Sequence, residues 1–337
     1  MKSHVYTKKR QPRIVTIGGG TGQHTLLKGL KVLPIEITAL VSMADDGAST
    51  GVLRDEMGVL PPGDVRNCIA ALSDESTLVR TLFSYRFAEG PAVGHAFGNL
   101  FLSALEKITG NFTAAVEEAS RLLSVRGTIL PISVGDMRLV IELKNGTAIV
   151  GEKHLDSHPE IRTVGIDRVL LATRVQAHPQ ALAAISRADM IVIGPGDLYG
   201  SIVPPLLVDG VGETLSLFRG PIVYVANLTN KKGQTDTFTV DDYLEKIERV
   251  IGKNVITHVL GNSAEPQSHL KKRYEAHNDA GSIVTISHGI EKRGSVVYIG
   301  APIVSDDDFS VGGAHASFIR HDSKKLARAL MHILRKT

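Results

Sequence analysis

Disulfide chemistry and aromatic stacking are the first things this sequence is without. It has a single cysteine, Cys68, which cannot close an internal disulfide, and no tryptophan. Aromatic residues make up 5% of 337 positions, so no platform for stacking bases or sugars is advertised. No apolar run reaches the roughly 20 residues needed to span a bilayer, and the polar first dozen residues lack the apolar core of a signal peptide. Charge of one sign is also missing: 38 Lys and Arg against 35 Asp and Glu leave a formal +3, with no long basic run beyond stretches such as Lys8-Lys9-Arg10. A cytoplasmic globular protein is expected, with no nucleic-acid partner and no membrane span. Metal-spaced Cys/His clusters and a Gly-x-Ser-x-Gly elbow are absent too, and Cys68 has no evident activating neighbour, so hydrolysis through a nucleophile is unsupported.

What the chain has is 43% hydrophobic residues, enough for a sizeable core, and 33 glycines gathered in loops between apolar runs. Arg13 to Ile17 reads as a strand. Four glycines follow among five residues, and Leu26, Leu27, Leu30 and Leu33 then share a helical face until Pro34. Ile35 to Met43 is a second strand, completing a βαβ unit whose ligands belong outside the carboxyl ends of its strands. Helical faces follow at Val65, Ile69 and Leu72, at Phe101, Leu105 and Ile108, and at Phe112, Val116, Ala119 and Leu123. Leu139, Ile141 and Leu143, then Asn145-Gly146, then Ala148 and Val150 predict a hairpin with a type I′ turn. The rhythm resumes with helix Pro179 to Ala188, strands Met190 to Ile193 and Ile222 to Ala226, helix Asp241 to Ile251 and strand Val255 to Leu260. Asp322 caps a last helix carrying Leu326, Leu330 and Ile333. The expected fold class is α/β, a doubly wound and mostly parallel sheet with helical and β-hairpin embellishments. Residues 13–337 form one domain behind a flexible segment 1–12, with an insertion at about 125–157.

Five loops carry candidate chemistry. Gly18-Gly19-Gly20-Thr21-Gly22 leads into a helix, where free N–H groups and the positive dipole end suit a phosphate; a tight turn is the plain alternative. It is defective as a dinucleotide fingerprint and as a P-loop. Asp45-Asp46-Gly47-Ala48-Ser49-Thr50-Gly51 sets two carboxylates and two hydroxyls at a strand end. Beside a phosphate these need Mg²⁺ or a ribose or sugar hydroxyl between; otherwise they are a solvated turn. In Pro61-Pro62-Gly63-Asp64-Val65-Arg66-Asn67, Asp64 caps a helix and Arg66 offers a bidentate grip on phosphate. Gly94-His95-Ala96-Phe97-Gly98-Asn99 supplies a histidine that either serves an anion or proton transfer or is structural. Gly194-Pro195-Gly196-Asp197-Leu198-Tyr199-Gly200-Ser201 follows its own strand and can face the first glycine loop across the switch point, joined by Asn227. Asp45, Asp46 and Asp197 are the candidate metal ligands.

Taken in order, GGGTG, SMADDGAST, LPPGDVRNCIAAL, GHAFGN, IGPGDLYGSIVP and IRHDSKKLA resemble the gluconeogenesis factor (YvcK-like) family over roughly residues 13–335. That family is similar in fold to the CofD-like phospholactate transferases, which are Rossmann-like and use a divalent cation. The resemblance implies UDP-sugar binding, foremost UDP-N-acetylglucosamine, growth on gluconeogenic carbon sources, and control of cell shape and wall synthesis through regulatory partners. It assigns Gly19, Gly20, Thr21 and Gly22 to the phosphate cradle. Around the same cleft it places Asp45, Asp46, Ser49, Asp64, Arg66, Asn67, His95, Asn99, Gly196 and Asp197, and it adds Arg320 and Tyr274 as UDP-sugar contacts. A binding role is expected ahead of catalysis; the alternative is a Mg²⁺-dependent transferase using a nucleotide diphosphate donor. A homodimer is the base-rate expectation. The chain departs from the family at Gln23 and His24, which would shift the choice of sugar, at Ala48, which replaces a glycine, and in extra residues around Phe309 to Ala316.

Overall fold

β1 (Arg13–Gly18) and β2 (Glu36–Val41) pair in parallel, joined by helix α1 (Gly20–Leu30), whose Leu26, Leu27 and Leu30 are fully buried against them. This parallel βαβ crossover is the unit expected from the strand–glycine–leucine pattern. The computed structural model describes residues 10–276, 280–307 and 319–337. Most of the segment 1–12 and the extra residues around Phe309 to Ala316 lie outside the described residues.

The strands that follow are β3 (Thr128–Pro131), β4 (Leu139–Leu143), β5 (Ala148–Val150), β6 (Ile166–Leu171), β7 (Met190–Ile193), β8 (Ile222–Val225) and β9 (Thr229–Lys231). β10 (His258–Asn262), β11 (Ala280–Ile283), β12 (Gly289–Arg293) and β13 (Val296–Ala301) complete the set. Eight of them form one sheet in the order β12-β13-β10-β8-β7-β1-β2-β3, parallel throughout except for the antiparallel edge strand β12. The central strands are continuous apolar runs, as a parallel sheet buried on both faces requires: Ile191, Val192, Ile193, Val223 and Tyr224 are all fully buried. Each such side chain contributes about 2 kcal/mol of burial free energy. β10 begins at His258, three residues later than the expected Val255, and the β12–β13 hairpin has no counterpart in the sequence reading.

Helices α2 (Ala48–Met57), α3 (Gly63–Leu72), α4 (Thr77–Ser84), α5 (Phe97–Thr109) and α6 (Phe112–Leu122) occupy the segment between β2 and β3. The α3 and α6 faces are as read. In α5 the buried side is instead Gly98, Asn99, Leu102 and Ser103, while Ile108 is 79% exposed. Periodicity located the helix, but small residues turned out to set its contact face because α3 and α4 pack close.

β5, β4 and β6 make a separate small sheet. Its turn is not type I′: Gly146 is left-handed at φ 87°, but Asn145 is not, and the Gly146 N–H bonds to the Leu143 carbonyl. That is a three-residue loop with glycine at the bulge position. The terminal helix Ser323–Lys336 is capped by the Asp322 carboxylate and packs on α1 at Gly29, where a Cβ would fall 2.0 Å from the Ser323 carbonyl oxygen.

Candidate functional site

β1 lies between β2 and β7, and strand order reverses there, with β2 and β3 running one way and β7, β8 and β10 the other. Loops at the carboxyl ends of β1 and β7 must therefore part and leave a crevice. A cleft of about 380 Å³ opens at this place. One wall is Gly19, Gly20, Thr21 and Gly22 at the start of α1, and the facing wall is Gly196, Asp197 and Ser201. Asn227 and Thr229 to Lys231, beyond β8, form its floor side; Asp156, Tyr274, Arg320 and His321 close it.

The glycines serve distinct purposes. Only Gly20, at φ 64°, needs the left-handed freedom of glycine. Gly19 and Gly22 are close approaches: an added Cβ would lie 2.1 Å from Asp64 Oδ2 at Gly19 and 2.2 Å from the Pro195 carbonyl oxygen at Gly22. α1 has no side-chain cap and no acid in its first turn, so the N–H groups of Thr21 and Gly22 remain for an anion in the cleft.

Across the cleft, Lys231 is clamped between Asp156 (2.5 Å) and Asp197 (2.6 Å). Burial alone would lower its pKa, but the two carboxylates raise it, so it stays charged. Asn227 donates to the Gly196 carbonyl at 2.8 Å and accepts from Tyr224, fixing the Gly194–Asp197 loop. The Tyr274 hydroxyl donates to the Asn230 carbonyl and accepts from the Gly281 N–H, and the residue lines the cleft. Burial lowers the pKa of Arg320, a half-buried guanidinium, and pushes that of His321 down to about 4, so His321 is neutral at pH 7.

The other expected residues gather behind the α1 start rather than on the cleft wall. Asp64 sits under Gly19 and accepts from the Gly20 N–H. Arg66 crosses over Gly98 and donates to Asn67 at 2.8 Å. The Asn67 carbonyl meets His24 at 2.9 Å. Ser49 bonds to His95 (3.0 Å) and Asn99 (3.1 Å). Two buried atoms here, Arg66 Nε and Asn99 Oδ1, have no hydrogen-bond partner. Asp46 is used elsewhere: it accepts from the Lys153 N–H at 2.6 Å and tethers the small sheet to the β2 loop. Gly194 stands at the carboxyl end of β7, where its N–H bonds to the Ile17 carbonyl.

Burial raises the pKa of Asp45, despite hydrogen bonds from Gly47 and Thr50. It raises that of Glu152 well above normal, with Asp45, Asp197, Asp46 and Asp64 adding to the effect. Asp64 is pushed from 3.8 up to about 7 by burial and then by Asp45. The folded state therefore holds the Asp64 proton more tightly than the unfolded chain. Its stabilising contribution is complete below pH 3.8 and is lost as pH rises through about 7. Asp64→Asn keeps an acceptor for Gly20 without that titration. Its melting temperature relative to wild type is expected to rise by several degrees between pH 5 and 8; a difference that shrinks with pH would overturn the buried acid.

Two departures from the family have structural explanations. Gln23 is fully buried and bonds to Thr16 (3.1 Å) and the Leu40 carbonyl (3.2 Å), accepting in turn from Cys68. It joins β1, β2 and α3, and neither it nor His24 is among the residues lining the cleft. Ala48 stands at φ 39°, a left-handed conformation that a glycine adopts without strain.

A divalent cation is implied by the resemblance, with Asp45, Asp46 and Asp197 as ligands. Among the described residues no three His, Cys, Asp or Glu side chains are gathered as metal ligands. Asp197 is bound to Lys231 and Asp46 to the Lys153 N–H, so as a donor set the three do not fit a metal.

Lys231, Asp156 and Glu152 were missed from sequence. The polar run after Asn227 was a usable pointer to Lys231. Nothing local distinguishes Glu152 or Asp156, which come in on the turn following the small sheet's hairpin. Among the described residues no helix is long and apolar enough to cross a membrane.

Residues 14–301 match the family model described as 2-phospho-L-lactate transferase CofD. The chain is 37% identical to the gluconeogenesis factor of Bacillus subtilis over 97% of this chain and 99% of that one. It is 36% identical to the gluconeogenesis factor of Listeria monocytogenes over 97% of each. A crystal structure of a Bacillus halodurans protein superposes with a TM-score of 0.86 at 35% identity, over 96% of this chain and 100% of the other. With order, loops and fold in agreement over nearly its whole length, the chain belongs to the gluconeogenesis factor family within the CofD group.

Proposed function

We propose that the cleft binds a UDP-sugar, foremost UDP-N-acetylglucosamine, and that the protein acts in the cytoplasm as a regulator of gluconeogenic growth and of cell-shape and wall synthesis, through partner proteins rather than turnover. The observation that carries this reading is that the start of α1, whose N-cap glycine has no side chain to cap it, and Arg320 line one cleft at the switch point. A diphosphate placed between them meets backbone N–H donors, a helix dipole and a guanidinium. Asp197 and Asp156, held by Lys231, keep acceptor capacity for ribose or sugar hydroxyls. The names of the relatives support the gluconeogenic role.

Mass spectrometry of native protein is expected to find a UDP-sugar co-purified, and calorimetry to show saturable UDP-N-acetylglucosamine binding. No binding of any UDP-sugar at millimolar concentration would sink the reading. The family model's name favours one other reading, transfer from a nucleotide diphosphate donor. Mg²⁺-dependent release of a nucleoside monophosphate in the presence of an acceptor would establish it.

A further inference from the structure

The outer face of α1 and the terminal helix carries charge of one sign. Residues 20–34 and 323–337 hold seven Lys and Arg and no Asp or Glu, in a chain whose formal charge is only +3. The two helices meet at Gly29, where an added Cβ would lie 2.0 Å from the Ser323 carbonyl oxygen and 3.2 Å from Ala327 Cβ. On the inner side of this contact Leu30 and Leu326 are buried; on the outer side Lys28, Lys324 and Arg328 are exposed. His332 and Arg335 continue the exposed row along the terminal helix. The row borders the cleft. Thr21 and Thr25, on the same side of α1 as Lys28, line it, and His24 is in electrostatic reach of both Lys28 and Arg320.

The fold makes little use of this arrangement. Lys325 is bound to Asp306 and to the Val304 carbonyl, both at 3.1 Å, and Lys31 to Asp74 at 3.3 Å. Among the described residues no ion pair reaches Lys28, Lys324, Arg328 or Arg335. The helix dipole accounts for Arg335 in the last turn, but Lys324 stands in the first turn, where a cation is unfavourable, and repels Arg328 four positions on. A solvated helix ordinarily mixes its signs, as helix Val240–Ile251 does with Glu245 bound to Arg249 at 2.6 Å. Leu326, Leu330 and Ile333 are buried in the core, so the terminal helix has no apolar side left for a bilayer. Asp306, exposed beside its start, breaks up any broader positive field. From Lys324 to Arg335 the row is about 16 Å long, and its complement is narrow: one acidic helix laid along it.

We propose that this row docks an acidic helix of a partner protein, with carboxylates at the i, i+4 and i+11 spacing of Lys324, Arg328 and Arg335. A helix so placed borders the cleft wall at Thr21 and Thr25, which couples docking to what the cleft holds. This docking deepens the reading of a regulator acting through a partner and rests on it, but not on which ligand the cleft binds.

The test uses the full chain without nucleotide sugar and, as the probe, a fluorescent alanine-rich helical peptide with glutamates at i, i+4, i+7 and i+11, a pattern that meets the row in either direction. Anisotropy titration at low salt is expected to saturate, and the affinity to fall about tenfold or more between about 0.05 and 0.5 M NaCl. A peptide of the same composition with its glutamates scattered round the helix should bind about fivefold more weakly. Lys324→Glu should weaken binding about tenfold while melting at a higher temperature than wild type, because it puts an acid in the first turn and an i, i+4 partner before Arg328. A solvated face with no partner gives the gain in stability alone. Lys253→Glu, which reverses an exposed charge elsewhere, should stay within about twofold. No saturable binding in wild type, or equal binding by Lys324→Glu or by the scattered peptide, would overturn the proposal. So would binding of phosphatidylglycerol vesicles or duplex DNA with none of the peptide. Calorimetry with UDP-N-acetylglucosamine on the same samples reads the cleft separately, and turnover of a nucleotide diphosphate donor would count against the regulator without moving the peptide titration.

Discussion

Gly22→Ala is expected to abolish UDP-sugar binding and to lower stability by about 3 kcal/mol, although it adds a single methyl group. The new Cβ would lie 2.2 Å from the Pro195 carbonyl oxygen and 2.6 Å from its carbon. Both atoms are backbone, so no rotamer change relieves the contact. The loop is also held from behind, by the Asn227 bond to the Gly196 carbonyl and by the β1–β7 ladder that ends at Ile17 and Ile193. Either α1 or the Gly194–Asp197 loop must move, and both are walls of the cleft. Gly18→Ala is the control: its nearest neighbour would be at 3.9 Å, so affinity should stay within about twofold. Calorimetric titration with UDP-N-acetylglucosamine and thermal melts give both readings. Wild-type affinity in Gly22→Ala would show that the two glycine loops do not form the cradle.

Arg320→Ala should weaken UDP-sugar binding about 100-fold. The basic side chains lining the described cleft are Lys231, Arg320 and His321. Lys231 is neutralised by two carboxylates and His321 is uncharged at pH 7. Arg320 is the cleft-lining side chain with a two-pronged donor face, and the prediction rests on that shape. Its main-chain carbonyl accepts from the Ser305 N–H at 2.8 Å, so the backbone position is retained when the side chain is shortened. Arg320→Lys keeps the charge but not the two-pronged donor, and an intermediate loss of about tenfold is expected. The affinity should also fall with added salt in wild type more steeply than in Arg320→Ala. Unchanged affinity in Arg320→Ala would mean that the anion lies elsewhere.

Much of the framework was legible because its causes are local. The leucines of α1, the stop at Pro34, the buried run of β7 and the Asp322 cap all depend on residues within a few positions of one another. So did the facing of the two glycine loops, since each follows a parallel strand and strand ends converge at a switch point. Errors began where a contact surface was decided by a distant partner. The buried side of α5 follows from the close packing of α3 and α4, which favours Gly98 and Ser103 over Ile108. The Asn145-Gly146 turn took the bulged form, and β4 also pairs with β6, with an irregularity at Glu142/Leu143.

The sequence by itself determined the alternation of strands and helices, the placement of polar glycine-rich loops at strand ends, and the family. The tertiary structure alone decided what each loop residue does. It put Asp64 beneath Gly19, gave Asp46 to the Lys153 N–H, set Lys231 between Asp156 and Asp197, and drew Gln23 into the core. The physical reason is that burial, ion pairing and pKa depend on neighbours more than a hundred positions away in the chain, as with Asp46 and Lys153, 107 apart, and Arg10 and Asp189, 179 apart. Strand order brings those neighbours together, and no period or local spacing encodes it.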